Sequence, residues 1–163
     1  MARIRTTDRG ATPIAQLGLE RAEWETAGLC VALTNGCFDL LHPGHIGLLE
    51  AARSLADILI VALNSDRSVG EIKGAGRPLI PQQERAEALL ALEPVDRVVI
   101  YDEPTPIQVI RALAPDVLAK GADWGLDHIV GRKEIEARGG RVVRIDLLPG
   151  RSTTALLQRI RHS

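Results

Sequence analysis

Aromatic residues are nearly absent: two Trp, one Tyr and one Phe in 163 residues. Stacking platforms that hold single-stranded nucleic acid need several such rings, so their scarcity argues against that class. Charge of one sign is also lacking. Twenty Lys+Arg stand against 21 Asp+Glu, a net charge of -1, where a general nucleic-acid binder would carry a basic excess. Cysteine is limited to Cys30 and Cys37, too few for a disulfide framework or a four-cysteine zinc site. No apolar run approaches the roughly 18 residues of a membrane span, and Met1 to Gly10 is polar and basic, unlike a signal peptide. The expectation is a reduced, cytoplasmic protein that engages neither nucleic acid nor membrane.

Hydrophobic residues make up 45% and charged residues 25%, the balance of one ordinary globular domain with a core of its own. Lysine is the scarcest basic residue: only Lys73, Lys120 and Lys133 interrupt a set of arginines. Two of the three precede a glycine, in Lys73-Gly74 and Lys120-Gly121.

Met1 to Pro13 reads as a loose tail and 14–163 as the domain. Ile14, Leu17 and Trp24 are spaced for an amphipathic helix over 14–27. Five short apolar runs follow, near 29–34, 58–63, 97–100, 116–119 and 141–145. They do not alternate, as expected of strands buried on both faces of a parallel sheet. Helical stretches separate them, at 44–55, 82–92, 105–113 and 129–138, with a last one over 152–161. Pro43, Pro81 and Pro106 fall near helix starts, where a fixed φ is tolerated. The alternation predicts an α/β, Rossmann-like doubly wound sheet of about five parallel strands, helices on both faces. Ligands then belong at the carboxyl ends of the strands.

The densest chemistry follows the first run: Thr34-Asn35-Gly36-Cys37-Phe38-Asp39-Leu40-Leu41-His42-Pro43-Gly44-His45. With a helix starting at Pro43, His42 and His45 share one face of its first turn. Free N–H groups and the positive end of the helix dipole make that turn an anion site. Gly44 allows close approach of a ligand to the backbone. A single histidine there is ordinarily a cap. Two, in His-x-Gly-His after a buried strand, point to imidazoles that donate to phosphate oxygens as charge develops. A zinc site from His42, His45 and Cys37 lacks a fourth ligand.

Three further groups stand after later strands. Asn64, Ser65 and Asp66 lead to Lys73-Gly74-Ala75-Gly76-Arg77-Pro78, a loop whose cations suit an anionic substrate, with a plain solvated loop as the alternative. Lys120-Gly121-Ala122-Asp123-Trp124 places an ammonium where a triphosphate would lie. Asp123 and Trp124 there hold a ribose or base, or else cap a turn and plug the core edge. Gly150-Arg151-Ser152-Thr153-Thr154 is an N-cap or a second anion-binding helix start. There is no Gly-Lys pair and hence no P-loop, and Gly74-Ala75-Gly76 does not extend to a G-x-G-x-x-G fingerprint, which disfavours a dinucleotide dehydrogenase.

His42-Pro43-Gly44-His45 resembles the signature of the HxGH nucleotidyltransferases, which join a nucleoside monophosphate to a phosphate or carboxylate and release pyrophosphate. The set is similar in order to the D-glycero-β-D-manno-heptose 1-phosphate adenylyltransferases, found alone or fused behind a heptose kinase. The resemblance runs from about Leu29 to Ile160. It includes Thr34 to Asp39, Val61 to Asp66, Arg77-Pro78, Val95-Asp96, Asp102-Glu103-x-Thr105-Pro106, Lys120-Gly121-x-Asp123, Gly139-Gly140 and Ser152-Thr153-Thr154. One departure is Gly121-Ala122-Asp123-Trp124 where the family commonly has Gly-Gly-Asp-Tyr. Asp-Trp is similar to glycerol-3-phosphate cytidylyltransferase, whose Arg-Thr-Glu-Gly run is nevertheless missing before Ser152.

The resemblance implies AMP transfer from ATP to heptose 1-phosphate, giving ADP-heptose for lipopolysaccharide core synthesis. It implies His42, His45 and Lys120 as catalytic groups. Thr34, Asn35, Gly36, Cys37, Phe38, Gly44, Asp123, Trp124, Ser152, Thr153 and Thr154 would serve the nucleotide. Asp39, Asn64, Asp66, Lys73 and Arg77 would serve the sugar phosphate, with Asp39 orienting the 34–38 nucleotide loop. Mg²⁺ is expected with the triphosphate, and no protein ligand for it is evident. A homodimer is the general expectation for a small soluble domain. The competing readings are a cytidylyltransferase for glycerol 3-phosphate and an inactive nucleotide-binding regulator.

Overall fold

A computed structural model describes residues 10–122 and 125–146. Its sheet has five strands: β1 (Val31–Gly36), β2 (Ile58–Asn64), β3 (Arg97–Tyr101), β4 (Val117–Gly121) and β5 (Arg141–Ile145). They are ordered β3-β2-β1-β4-β5, and every neighbouring pair is parallel. The helices are α1 (Ile14–Thr26), α2 (Pro43–Ser54), α3 (Asp66–Lys73), α4 (Gln82–Ala91), α5 (Ile107–Leu113) and α6 (Arg132–Ala137), with a 3₁₀ turn at Leu126–His128. The expected Rossmann-like sheet is therefore present.

The unalternating runs acquire their reason in the packing. Val31 and Leu33 of β1 join Leu17 of α1, Ile110 and Leu113 of α5 and Ile135 of α6 on one face. Ala32 between them joins Leu49 and Ala52 of α2 and Ala86 and Leu89 of α4 on the other. Successive side chains of a strand point to opposite faces, so a strand covered twice must be apolar throughout.

The two ends of the sheet differ in chemistry. At the amino ends, aspartates close the backbone. The N–H of Val31 donates to Asp116 Oδ2 at 2.8 Å, that of Leu59 to Asp96 Oδ2 at 2.9 Å and that of Cys30 to Asp57 Oδ2 at 2.9 Å. At the carboxyl ends, β1 runs to β2 and β3 on one side, then β4 returns on the other. The order reverses between β1 and β4, where a crevice must open.

Two expectations change. Residues 66–73 form α3, not a loop, so Lys73 is a helix-terminal residue. Ser65 caps that helix by accepting from the Ser68 N–H at 3.1 Å, and Gly74 ends it at φ 92, a backbone region that glycine enters without strain. The end of the expected tail is also docked. Thr12 N–H donates to Val98 O at 2.7 Å, covering part of the β3 edge, and Ala11 packs on the core. The rest of the tail and the helix expected at 152–161 lie outside the described residues.

Candidate active site

A cavity of about 520 Å³ opens at the carboxyl ends of β1, β2, β3 and β4. It lies within the size range of small-molecule sites. Asn35, Gly36, Cys37, Phe38, Asp39 and His45 line one wall, and Asn64, Lys73 and Arg77 another. Lys120 enters from β4, and Tyr101, Thr105, His128 and Ile129 are also in the lining. Residues from distant parts of the chain thus meet at the switch point.

The first wall is built by the chain leaving β1. Gly36 leaves room there for Phe38, which turns back at φ 45: a Cβ at position 36 would lie 3.1 Å from its ring, a tight contact. Phe38 then packs against His45, ring centroids 5.1 Å apart. His42 is the N-cap of α2: its Nδ1 accepts the Gly44 N–H at 3.1 Å, which places its own proton on Nε2. Pro43 follows at the first helical position. The rings of His42 and His45 stack at 3.8 Å.

Burial, more than that stack, sets the protonation of His45. Burial, with His42 beside it, pulls its pKa down to about 4, while the Leu40 backbone acts weakly in the other direction. His45 is therefore a neutral imidazole at pH 7, a single N–H donor at the mouth of a helix. Burial pushes the Cys37 thiol up, against Lys73 and Arg85, so Cys37 is no ready thiolate.

Asp39 is almost wholly buried and fully engaged. It pairs with Arg77 at 2.6 Å and accepts the N–H groups of Leu79 and Ile80 at 2.8 and 3.0 Å. It thus holds residues 77–80 beside the cavity, whereas the sequence reading has it orient the 34–38 loop. Arg85 of α4 does comparable work below, a role that the sequence motifs do not convey. Its fully buried guanidinium donates to the carbonyl oxygens of Cys37, Asn64 and Ile80 and to Asp66 Oδ1, tying three loops together. Its only sequence signal is a charge on the apolar face that Ala86 and Leu89 define.

The remaining expected residues are distributed unevenly. Asn64 is buried at the cavity wall, its Nδ2 donating to Ser68 Oγ at 2.9 Å. Asp66 does not line the cavity; it faces Arg85 at 2.8 Å. Thr34 is fully buried within β1 and also lies off the lining, as do Gly44 and His42. Lys120 Nζ donates to Asn35 Oδ1 at 2.9 Å and to Asn35 O at 3.3 Å, bridging the crevice between β4 and β1. Asp123, Trp124, Ser152, Thr153 and Thr154 lie outside the described residues. Tyr101 and His128 line the cavity without having been singled out by any motif, and Thr105, part of a stretch quoted for the resemblance, lines it without having been given a role. The one tyrosine of an aromatic-poor chain, at the carboxyl end of a strand, was a signal for the first of these.

A neutral imidazole at a helix start, an ammonium across from it and a cationic loop above suit a phosphate substrate. The comparison with known proteins decides the class: the family model for cytidylyltransferase-like domains matches residues 33–158. This chain belongs to that family. Among curated relatives, the bifunctional protein HldE of Rhodopseudomonas palustris strain BisB5 is 51% identical over 148 residues, 91% of this chain and 30% of the relative. HldE of Bradyrhizobium diazoefficiens is 53% identical over 147 residues, 90% of this chain and 30% of the relative. The chain thus spans less than a third of these relatives. A solved lipopolysaccharide core biosynthesis protein from Thermoplasma volcanium superposes with a TM-score of 0.61 at 26% identity, covering 74% of this chain and 98% of its own. This cytidylyltransferase-like chain is accordingly a nucleotidyltransferase domain.

Proposed function

We propose that this domain transfers AMP from ATP to D-glycero-D-manno-heptose 1-phosphate, releasing pyrophosphate and forming ADP-heptose for lipopolysaccharide core synthesis. The observation that carries the reading is one cavity lined by His45, Lys120 and the Lys73/Arg77 pair. The 51% identity to an HldE protein supports the sugar, as does the likeness to a solved lipopolysaccharide core biosynthesis protein.

A phosphate monoester has its second pKa near 6, so the attacking oxygen is already ionised at neutral pH and needs no general base. That oxygen forms a bond to the α-phosphorus as the bond to the β-phosphate bridging oxygen breaks, and pyrophosphate departs with the electron pair. The protein's part is alignment and charge. His42, His45 and the start of α2 receive the α-phosphate, and Lys120 faces the triphosphate. Lys73 and Arg77 hold the sugar phosphate, Arg77 being positioned by Asp39. The nucleotide groups assigned to Asp123, Trp124, Ser152, Thr153 and Thr154 belong to the same proposal.

Mg²⁺ would arrive on the triphosphate and neutralise charge on its oxygens. Asp39 is ill suited to bind it, because its carboxylate already serves Arg77 and two N–H groups. No helix among the described residues is long and apolar enough to cross a membrane. A cytoplasmic location and a homodimer, readable by sedimentation, complete the proposal.

The test is pyrophosphate release from ATP, CTP and GTP, each with heptose 1-phosphate and with glycerol 3-phosphate. Release with ATP and heptose 1-phosphate alone is expected. Release with CTP and glycerol 3-phosphate would replace this reading by a cytidylyltransferase. Nucleotide binding without release under any pairing would support the inactive regulator.

A further inference from the structure

Tyr101 ends β3, buried to 5% exposure among apolar residues of the core. A phenylalanine would fill that place as well, so the hydroxyl needs its own account. Its oxygen accepts from Asn35 Nδ2 at 3.3 Å. Asn64, whose Nδ2 donates to Ser68 Oγ at 2.9 Å, is its second polar neighbour. Burial keeps the phenol protonated.

The other end of the Asn35 amide meets Lys120. Its Oδ1 takes the ammonium at 2.9 Å. An amide has two orientations, and only one gives Lys120 an oxygen in place of an NH₂ group. An acceptor at the Nδ2 end selects that orientation. The hydroxyl of Tyr101 is such an acceptor. Hydrogen bonds therefore run from Tyr101 through Asn35 to Lys120, all three lining the cavity.

We propose that Tyr101 is a positioning residue for Lys120: through Asn35 it fixes where the ammonium stands toward the nucleotide phosphates. The inference rests on the proposed reading of Lys120 as a phosphate ligand. It assigns a role outside the motif residues, to a side chain that touches Lys120 only through another.

The test is calorimetric titration of Mg·ATP, without a second substrate so that no turnover intervenes. The proteins are wild type, Tyr101→Phe, Lys120→Met and the double variant. Tyr101→Phe should weaken ATP binding about three- to tenfold, the scale of one lost hydrogen bond. The same change should have no further effect in the Lys120→Met background. Asn35→Ala should weaken binding at least as much as Tyr101→Phe, and combining the two should add nothing. Wild-type affinity in Tyr101→Phe would overturn the inference. So would an equal loss from that change with and without Lys120, because a purely structural role would act in both backgrounds. Wild-type protein that binds no ATP would overturn the proposed reaction and this inference together, a result distinct from binding with additive losses. Melting curves of each variant identify any that fails to fold, and the Asn35→Ala pair then carries the test.

Discussion

The His42 and His45 rings stack with centroids 3.8 Å apart and planes 25° from parallel. Two protonated imidazoles so close would repel, and burial adds to the cost of charging His45. In the proposed reaction the pair would thus start with His45 neutral, and the approaching polyanion would supply the field that favours its N–H donation.

Removing that donor should slow the chemistry. His45→Ala is expected to lower kcat more than tenfold at saturating substrates, with an unchanged circular dichroism spectrum. Near-normal turnover would place His45 outside the transition state.

The depressed pKa of His45 also links stability to pH. Its folded value is about 4 against an ordinary 6.5. Above pH 6.5 both states hold neutral imidazole and the group contributes nothing. Between 6.5 and 4 the unfolded chain binds the extra proton, so stability falls as pH falls through that window. Thermal melts from pH 7.5 to 4.5 should show a smaller decline in His45→Asn than in wild type. Parallel curves would contradict the assignment. Added ATP should raise the His45 pKa, which proton-detected titration of the imidazole reads directly.

Arg85 is the buried tie beneath the cavity. Arg85→Met leaves three carbonyl oxygens and Asp66 without their donor, which should cost on the order of 3 kcal/mol. A urea midpoint equal to wild type would show that the three loops hold without it.

Lys73 and Asp39 should separate in kinetics. Lys73→Ala should raise KM for the sugar phosphate severalfold with little change in kcat, since Lys73 stands on the cavity wall. Asp39→Asn should raise the same KM and also lower the melting temperature, because Arg77, Leu79 and Ile80 all depend on that carboxylate. An unchanged KM in Lys73→Ala would remove it from the substrate site.

Much of this was written in local sequence. Runs such as Ile58 to Leu63 declare strands covered on both faces, because a central parallel strand has no solvent side. His-Pro-Gly-His declares a capped helix start and its chemistry, since cap, proline and i,i+3 spacing are all near neighbours. Helix α3 has its two ends, Ser65 and Gly74, in local sequence, but the sequence reading places Lys73 in the loop that follows and expects no helix before it. What no local pattern could convey is which distant groups meet. Asp39 reaching Arg77, Arg85 gathering three loop carbonyls, and Tyr101 reaching Lys120 through Asn35 depend on the strand order β3-β2-β1-β4-β5. Hydrophobic periodicity determines that strands form and which faces they bury. Only the assembled sheet, by reversing its order between β1 and β4, decides which carboxyl ends share a cavity.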